Sequence, residues 1–598
     1  MINFVVHNYI AMGKIFRDKY FWIVLLTSFL SLFLFLGRSS FHTRGEPREA
    51  LVAQAMINDS NWTLPMTNGV DMAYKPPFFH WMIASASTVV GEVNEYTSRF
   101  PSALALATMV IVGYFFFAKR RGKELAFLTA MLTLTNFEVH RAGVNCRVDM
   151  VLAAFMVLAL YQLYKWAENR LKGIPWIGIL MLSGAFLTKG PVGLVLPCAV
   201  VAAFAWIRGV NFFRICISFI AVALAACVIP AFWYVAAWKQ GGESFLQLVL
   251  EENVYRFLGK MSYASHENPW PYNVMTVITG FVPYTILLAM SLFTLKFTKI
   301  ASKPREWWGK FITWVKQMDD TRLFSLLSIV IMFVFYCIPK SKRSVYLLPI
   351  YPFIAYFIAE YIVWLFKHRP KSLNWFNATM AWLLMILSAV FVVVRCGLVP
   401  HSVFGEGKHA AENIAYLNSL ETLPFGMQFL IALLPAVVAA AYFIAVKREK
   451  QGAECSCMGC SCGEMRVKLQ GIIMAFVLFF ALDGVFQPVV LNVKSNKDDA
   501  HKIAQLAPQG YVYSYITNTV MANRLHPFTI NFYLNNRVVP FVDFAPEHGY
   551  VIIGDKEAGK FKETYGAEYD IEMVDGIEFK SNDFRDRTHV YKFMKKQL

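Results

Sequence analysis

Charge is scarce along this chain: Asp, Glu, Lys and Arg make up 16% of its 598 residues, against 57% hydrophobic and 16% aromatic residues. Too few polar side chains remain to cover a water-facing surface, which excludes an ordinary soluble globule. Glycine-rich phosphate loops are missing as well. No Walker or dinucleotide-binding pattern stands in a strand-to-helix context, so no nucleotide site is expected. No clear internal repeat of the kind that builds transporters occurs. No small-residue cleavage pattern follows the first apolar run, Leu25–Leu36, which reads as an uncleaved anchor.

What is present is a series of long apolar runs. A spanning helix takes roughly 20 apolar residues, and about 13 stretches qualify, from Phe21–Leu36 to Ile472–Phe486. The expected fold is a polytopic α-helical membrane protein, with residues 1–490 in the membrane domain and 491–598 in a small outer α/β domain. Basic clusters such as Lys119–Lys123, Lys165–Lys172 and Lys367–Lys371 fall at every second connection. Lys and Arg near span ends stay in the cytosol, so the N-terminus is inside and the C-terminal segment outside. The net charge of +17 is then a topology signal, and no nucleic-acid partner is expected.

The polar motifs collect on the outer side, in loops 38–97 and 236–273 and at nearby helix ends. The first loop carries Glu46, Arg48, Glu49, Asp71 and Lys75. Pro47 suits a first helical turn, and Pro76-Pro77 exclude helix before them and permit it after. Asp149 stands at the entrance of a span, where an ionisable group is a functional candidate by default. Lys189 holds a tight outer turn, Arg256 and His266 lie in the long loop, and Lys340, Lys342, Arg343 and Tyr346 follow a later span. Outer-face cations that break the charge rule call for an anion, and a headgroup phosphate supplies one. Each residue also has a structural reading: snorkelling for Arg48, Lys75 and Arg256, a helix cap for Asp149, an interfacial role for His266.

In order, Gly45–Met56 (GEPREALVAQAM), Tyr74–Trp81 (YKPPFFHW), Arg147–Met150 (RVDM), Leu187–Gly193 (LTKGPVG), Ser265–Trp270 (SHENPW) and the run from Pro339 to Pro352 resemble the GT-C membrane glycosyltransferases of the aminoarabinose transferase and protein O-mannosyltransferase group. The likeness implies a donor sugar on a polyprenyl phosphate, an acceptor that is a lipid A-like glycolipid, a protein or an envelope glycan, and a bacterial inner membrane with the site on its periplasmic side. By position it implies that Glu46 belongs to an acidic pair whose first member is Gly45 here, and that Lys75 meets the carrier phosphate. It also implies that Tyr74 replaces a glutamate that would share a metal with His266. A divalent metal at His266 is what the likeness implies, against the loss of that glutamate, and no cofactor is required.

The chemistry follows from the residues themselves. Cations that neutralise a lipid phosphate make it a good leaving group, and a carboxylate takes or orients the acceptor's proton. The phosphate candidates are Arg48, Lys75, Lys189, Arg256, Lys340, Lys342, Arg343 and Tyr346; the carboxylate is Glu46 first, Asp149 second. Attack opposite the phosphate inverts the anomeric centre. Apart from this set, Cys455, Cys457, Cys460 and Cys462 crowd a loop expected in the cytosol, where thiolates could hold a soft metal. The rival functions are a transporter or flippase and a metal-handling membrane protein.

Overall fold

The computed structural model describes residues 17–255, 258, 260, 267–293, 304–407, 409–450, 461–516, 526–581, 583–584 and 586–597. Helices dominate up to residue 492, apart from a short hairpin in the first outer loop, and a larger sheet forms beyond it. Among the described residues, eight helices are long and apolar enough to cross a membrane, from Glu95–Arg121 to Val467–Asn492, and a pair bent by 104° (Tyr272–Gly280 and Tyr284–Leu292) makes a ninth if it counts as one span. The chain is a multi-pass membrane protein. Several runs expected to span form shorter helices, such as Lys123–Leu134, Trp176–Lys189 and Val192–Ile207. At about 1.5 Å per residue they fall short of the hydrocarbon core, and they are lined by other helices.

Local chemistry fixes where the helices begin and end. Asn94 accepts from the Thr97 amide at 2.9 Å while the Thr97 hydroxyl accepts from the Asn94 amide at 2.9 Å. This reciprocal box starts Glu95–Arg121 and satisfies two orphan donors. That helix ends in Lys119, Arg120 and Arg121, cations suited to the negative end of its dipole. Ion pairs then tie this end to its neighbours: Arg120–Glu168 at 2.6 Å, Arg121–Glu360 at 2.6 Å and, close by, Lys468–Glu124 at 2.7 Å.

Beyond residue 492 a five-stranded sheet forms with the order β4-β3-β5-β7-β6. Its strands are β3 Val512–Tyr515, β4 Val538–Pro540, β5 His548–Gly554, β6 Tyr569–Ser581 and β7 Asp586–Lys595; β1 Met66–Thr67 and β2 Asp71–Met72 make a small hairpin in the first outer loop. Helices Lys497–Leu506 and Asp555–Tyr565 accompany the sheet. The stretch Thr529–Asn535 is mostly helix, Phe528–Tyr533, and its ring Phe532 stacks edge-on to Phe41 at 4.8 Å. Gln54 donates to the Phe532 carbonyl at 3.1 Å and Asn531 to the Asn68 side chain at 2.7 Å. The sheet domain therefore presses on the back of the Gly45–Asn58 helix and leaves its other face open to the site.

Candidate active site

Gly45, Arg48 and Glu49 stand at i, i+3 and i+4 of the Gly45–Asn58 helix, so they share one face. That face borders a cavity of about 400 Å³. Across it lie Tyr74, Lys75 and His80 from the same outer loop and the helix after it, Arg147 and Asp149 at the start of Val148–Glu168, Lys189 at the end of Trp176–Lys189, Glu252 and Asn253, and Arg343 and Tyr346. Residues scattered over some 300 positions thus meet at one pocket because each sits at a helix end or in an adjoining loop.

Glu49 is the hub. Its Oε1 pairs with Arg48 Nη2 at 2.7 Å and Lys75 Nζ at 3.6 Å, and its Oε2 with His80 Nε2 at 3.0 Å. Burial pushes its carboxyl up, but Lys75, Arg48 and His80 together hold it well below the usual carboxylate range. Opposite, Lys189 donates to Asp149 Oδ1 and lies 4.5 Å from the centre of the Tyr346 ring. The positive φ of +85° at Gly190 lets the chain turn directly after Lys189, in a region a side chain resists.

Glu46, the first-choice carboxylate, is not on this face. One residue on from Gly45 it is rotated by about 100°, and its carboxylate is 2% exposed as a residue, clamped by Arg99 at 2.8 and 3.1 Å and by the Cys146 amide at 2.9 Å. Arg99 in turn donates to the carbonyls of Leu36 at 2.9 Å and Ser39 at 2.7 Å. Burial drives the Glu46 carboxyl upward, and Arg99, the Cys146 amide and Arg147 together more than offset it, leaving it below its ordinary value. The pair is a structural pin between the first outer helix and the next span.

The phosphate candidates also divide. Arg48, Lys75, Lys189, Arg343 and Tyr346 line the cavity. Lys342 does not: it is buried and spends its ammonium on the carbonyls of Pro339 at 2.7 Å and Asn268 at 3.1 Å. Lys340 is exposed outside the cavity, its carbonyl accepting from the Asn268 amide at 3.2 Å. Arg256, His266, Cys455, Cys457 and Cys460 lie outside the described residues, and Cys462 opens the Ser461–Ala481 helix without a described side chain. Among the described residues no three His, Cys, Asp or Glu side chains gather to hold a metal ion. Glu49, His80, Arg147 and Glu252 went unassigned in the sequence; only the i, i+3, i+4 spacing of Gly45, Arg48 and Glu49 signalled that Glu49, and not Glu46, shares the face of Arg48.

The crystal structure of ArnT from Cupriavidus metallidurans bound to undecaprenyl phosphate superposes with a TM-score of 0.66 over 96% of this chain and 97% of that one, at 18% identity. The chain has the GT-C fold of ArnT. Within that fold, residues 74–235 match the family model for dolichyl-phosphate-mannose-protein mannosyltransferase, the segment that carries Lys75, His80, Asp149 and Lys189. An undecaprenyl phosphate-α-4-amino-4-deoxy-L-arabinose arabinosyl transferase of Proteus mirabilis is 25% identical over 347 residues, 57% of this chain and 59% of the relative. Its counterpart in Shewanella sediminis is 25% identical over 389 residues, 63% of this chain and 66% of that protein. The helical GT-C membrane domain and its sheet-bearing C-terminal part agree with the fold read from the sequence.

Proposed function

We propose that the chain transfers a sugar from a polyprenyl-phosphate carrier to an acceptor on the outer face of a bacterial inner membrane, with inversion at the anomeric carbon. The carrying observation is the cavity itself, where Arg48, Lys75, Lys189 and Arg343 surround Glu49 and Asp149. A phosphodiester among these cations becomes a stabilised leaving group as the sugar–oxygen bond breaks. The carrier's own phosphate ester supplies the driving chemistry, so no added cofactor enters the proposal.

The two carboxylates take different roles. Among the described residues Asp149 is ion-paired with Lys189 alone, through Oδ1, which leaves Oδ2 to accept the acceptor's proton; it is the proposed base. Glu49 already serves three partners and acts as a positioning residue for Arg48, Lys75 and His80. The arrangement favours transferase over flippase, because the charges gather around one pocket at helix termini. Mass spectrometry of envelope lipids and glycoproteins from a deletion strain and its parent tests the reading. Loss of one sugar from an envelope component, with the lipid-linked sugar accumulating, is expected; unchanged glycans with a lost solute flux would refute it.

A further inference from the structure

The cavity is over-supplied with positive charge in a specific place. Five cationic side chains line it (Arg48, Lys75, Arg147, Lys189, Arg343) against three carboxylates (Glu49, Asp149, Glu252). A carrier phosphodiester brings one negative charge, and one cation remains unmatched. Leaving a partly desolvated cation unpaired is costly, so such a group marks where a ligand anion belongs.

Arg147 and Arg343 are the two lining cations whose side chains have no hydrogen bond or ion pair among the described residues; a carrier phosphate takes one, and Arg147, the one beside Gly45, is left for a second anion. Its backbone is fixed by Ser102, whose hydroxyl accepts from the Arg147 amide at 3.1 Å and donates to its carbonyl at 3.2 Å. Its guanidinium, half-buried on the cavity wall, has no hydrogen bond or ion pair among the described residues. Two carboxylates that feel its charge, Glu46 and Asp149, are bonded to Arg99 and Lys189 instead. Gly45 accounts for the open space beside it: a Cβ added there would lie 3.0 Å from Arg147 Nη1 and 3.4 Å from Nη2. An acidic side chain at this position would pair with the guanidinium, and glycine leaves the fork facing the cavity.

Resting on the glycosyl-transfer reading above, we propose that Arg147 and the space at Gly45 form a carboxylate subsite for the transferred sugar, so that the donor is an acidic sugar of the uronic-acid class. The planar fork of arginine matches a carboxylate in two-point contact. The same guanidinium repels an ammonium, so an amino sugar such as the one for which the Proteus and Shewanella relatives are named is disfavoured here.

The test uses the full chain in nanodiscs and three probes that displace labelled polyprenyl phosphate: polyprenyl-phosphate glucuronate, glucose and glucosamine. A charge-assisted contact predicts that the glucuronate probe competes about ten- to a hundredfold better than the glucose probe, with glucosamine weakest. Arg147→Met should bring the glucuronate-to-glucose ratio close to one. Gly45→Asp, which gives Arg147 a partner within the chain, should do the same, and its side chain is small enough to keep the fold. A glucose or glucosamine probe binding as tightly as glucuronate, or a ratio unchanged in Arg147→Met, overturns the subsite while leaving the transferase reading intact. Failure of polyprenyl phosphate itself to bind the unaltered protein overturns both.

Discussion

Glu46 and Glu49 stand three residues apart on one helix and do opposite work because their partners differ: Arg99 and the Cys146 amide clamp Glu46, whereas Glu49 reaches Arg48, Lys75 and His80 at the cavity. Removing the Glu46 charge with Glu46→Gln strands the buried Arg99 guanidinium, and breaking such a pair costs about 3–5 kcal/mol. The expected outcome is a large fall in thermal stability or in the amount of inserted protein. Asp149→Asn should cost less stability, because its partner Lys189 is 30% exposed and keeps water, and should lower turnover by about 100- to 10,000-fold, the range for loss of a general base. Measuring unfolding and transfer on both variants separates the roles; a stable Glu46→Gln protein with abolished transfer would reverse them. At this scale the sequence was legible for residue type and only partly for direction. Lys75 and Asp149 were found from proline geometry and from a charge at a span entrance. Glu46 was preferred on the acidic-pair resemblance, which outweighed the helical spacing that points to Glu49.

The Gly45–Asn58 helix is held from behind by the C-terminal domain, and the contact centres on Phe532, which is 3% exposed against Phe41, Ala50 and Leu51. Phe532→Ala should cost about 3–5 kcal/mol of stability through the cavity it leaves. Donor affinity should fall with it, since the same helix carries Arg48 and Glu49 on its other face; calorimetry and donor titration check the two effects. A second joint is sensitive to pH. Burial pushes the Asp583 carboxyl from 3.8 up to about 6, against the pull of the Thr529 amide and of Arg44 at 4.0 Å. The folded state then holds this proton more tightly than the unfolded one, so stability rises as pH falls from about 6 to about 4 and the full cost of the charge is present above about 6. Asp583→Asn should flatten that dependence and raise stability near neutral pH by about 2–3 kcal/mol, as read from unfolding at several pH values. Neither joint was legible in the sequence, because contacts such as Gln54 to Phe532 span 478 positions and leave no local pattern. Helix Phe528–Tyr533 and strand β6, whose register against β7 shifts between Met573 and Glu578, show the same limit: packing decided what short mixed segments became.

Taken whole, the molecule is polarised. Ion pairs among Arg120, Arg121, Glu168 and Glu360 seal one end of the helix bundle, and the cavity with the sheet domain occupies the other. The alternation of basic loops anticipated this polarity, since charge near span ends is a local property of the chain. The apolar runs overestimated the number of spans, because hydropathy does not separate a helix long enough to cross the bilayer from a shorter one packed among its neighbours. The central claim is that the polar end takes a lipid-borne phosphate, and Lys75 is the residue placed to feel it, on the cavity wall beside Glu49 and fixed by the proline pair that follows. Titrating the purified chain in nanodiscs with undecaprenyl phosphate, unaltered protein beside Lys75→Ala, tests this most directly. Saturable binding that weakens about ten- to a hundredfold in the variant is expected, with partial recovery in Lys75→Arg; equal affinity in the two proteins, or no saturable binding in either, would exclude a phosphate site at Lys75.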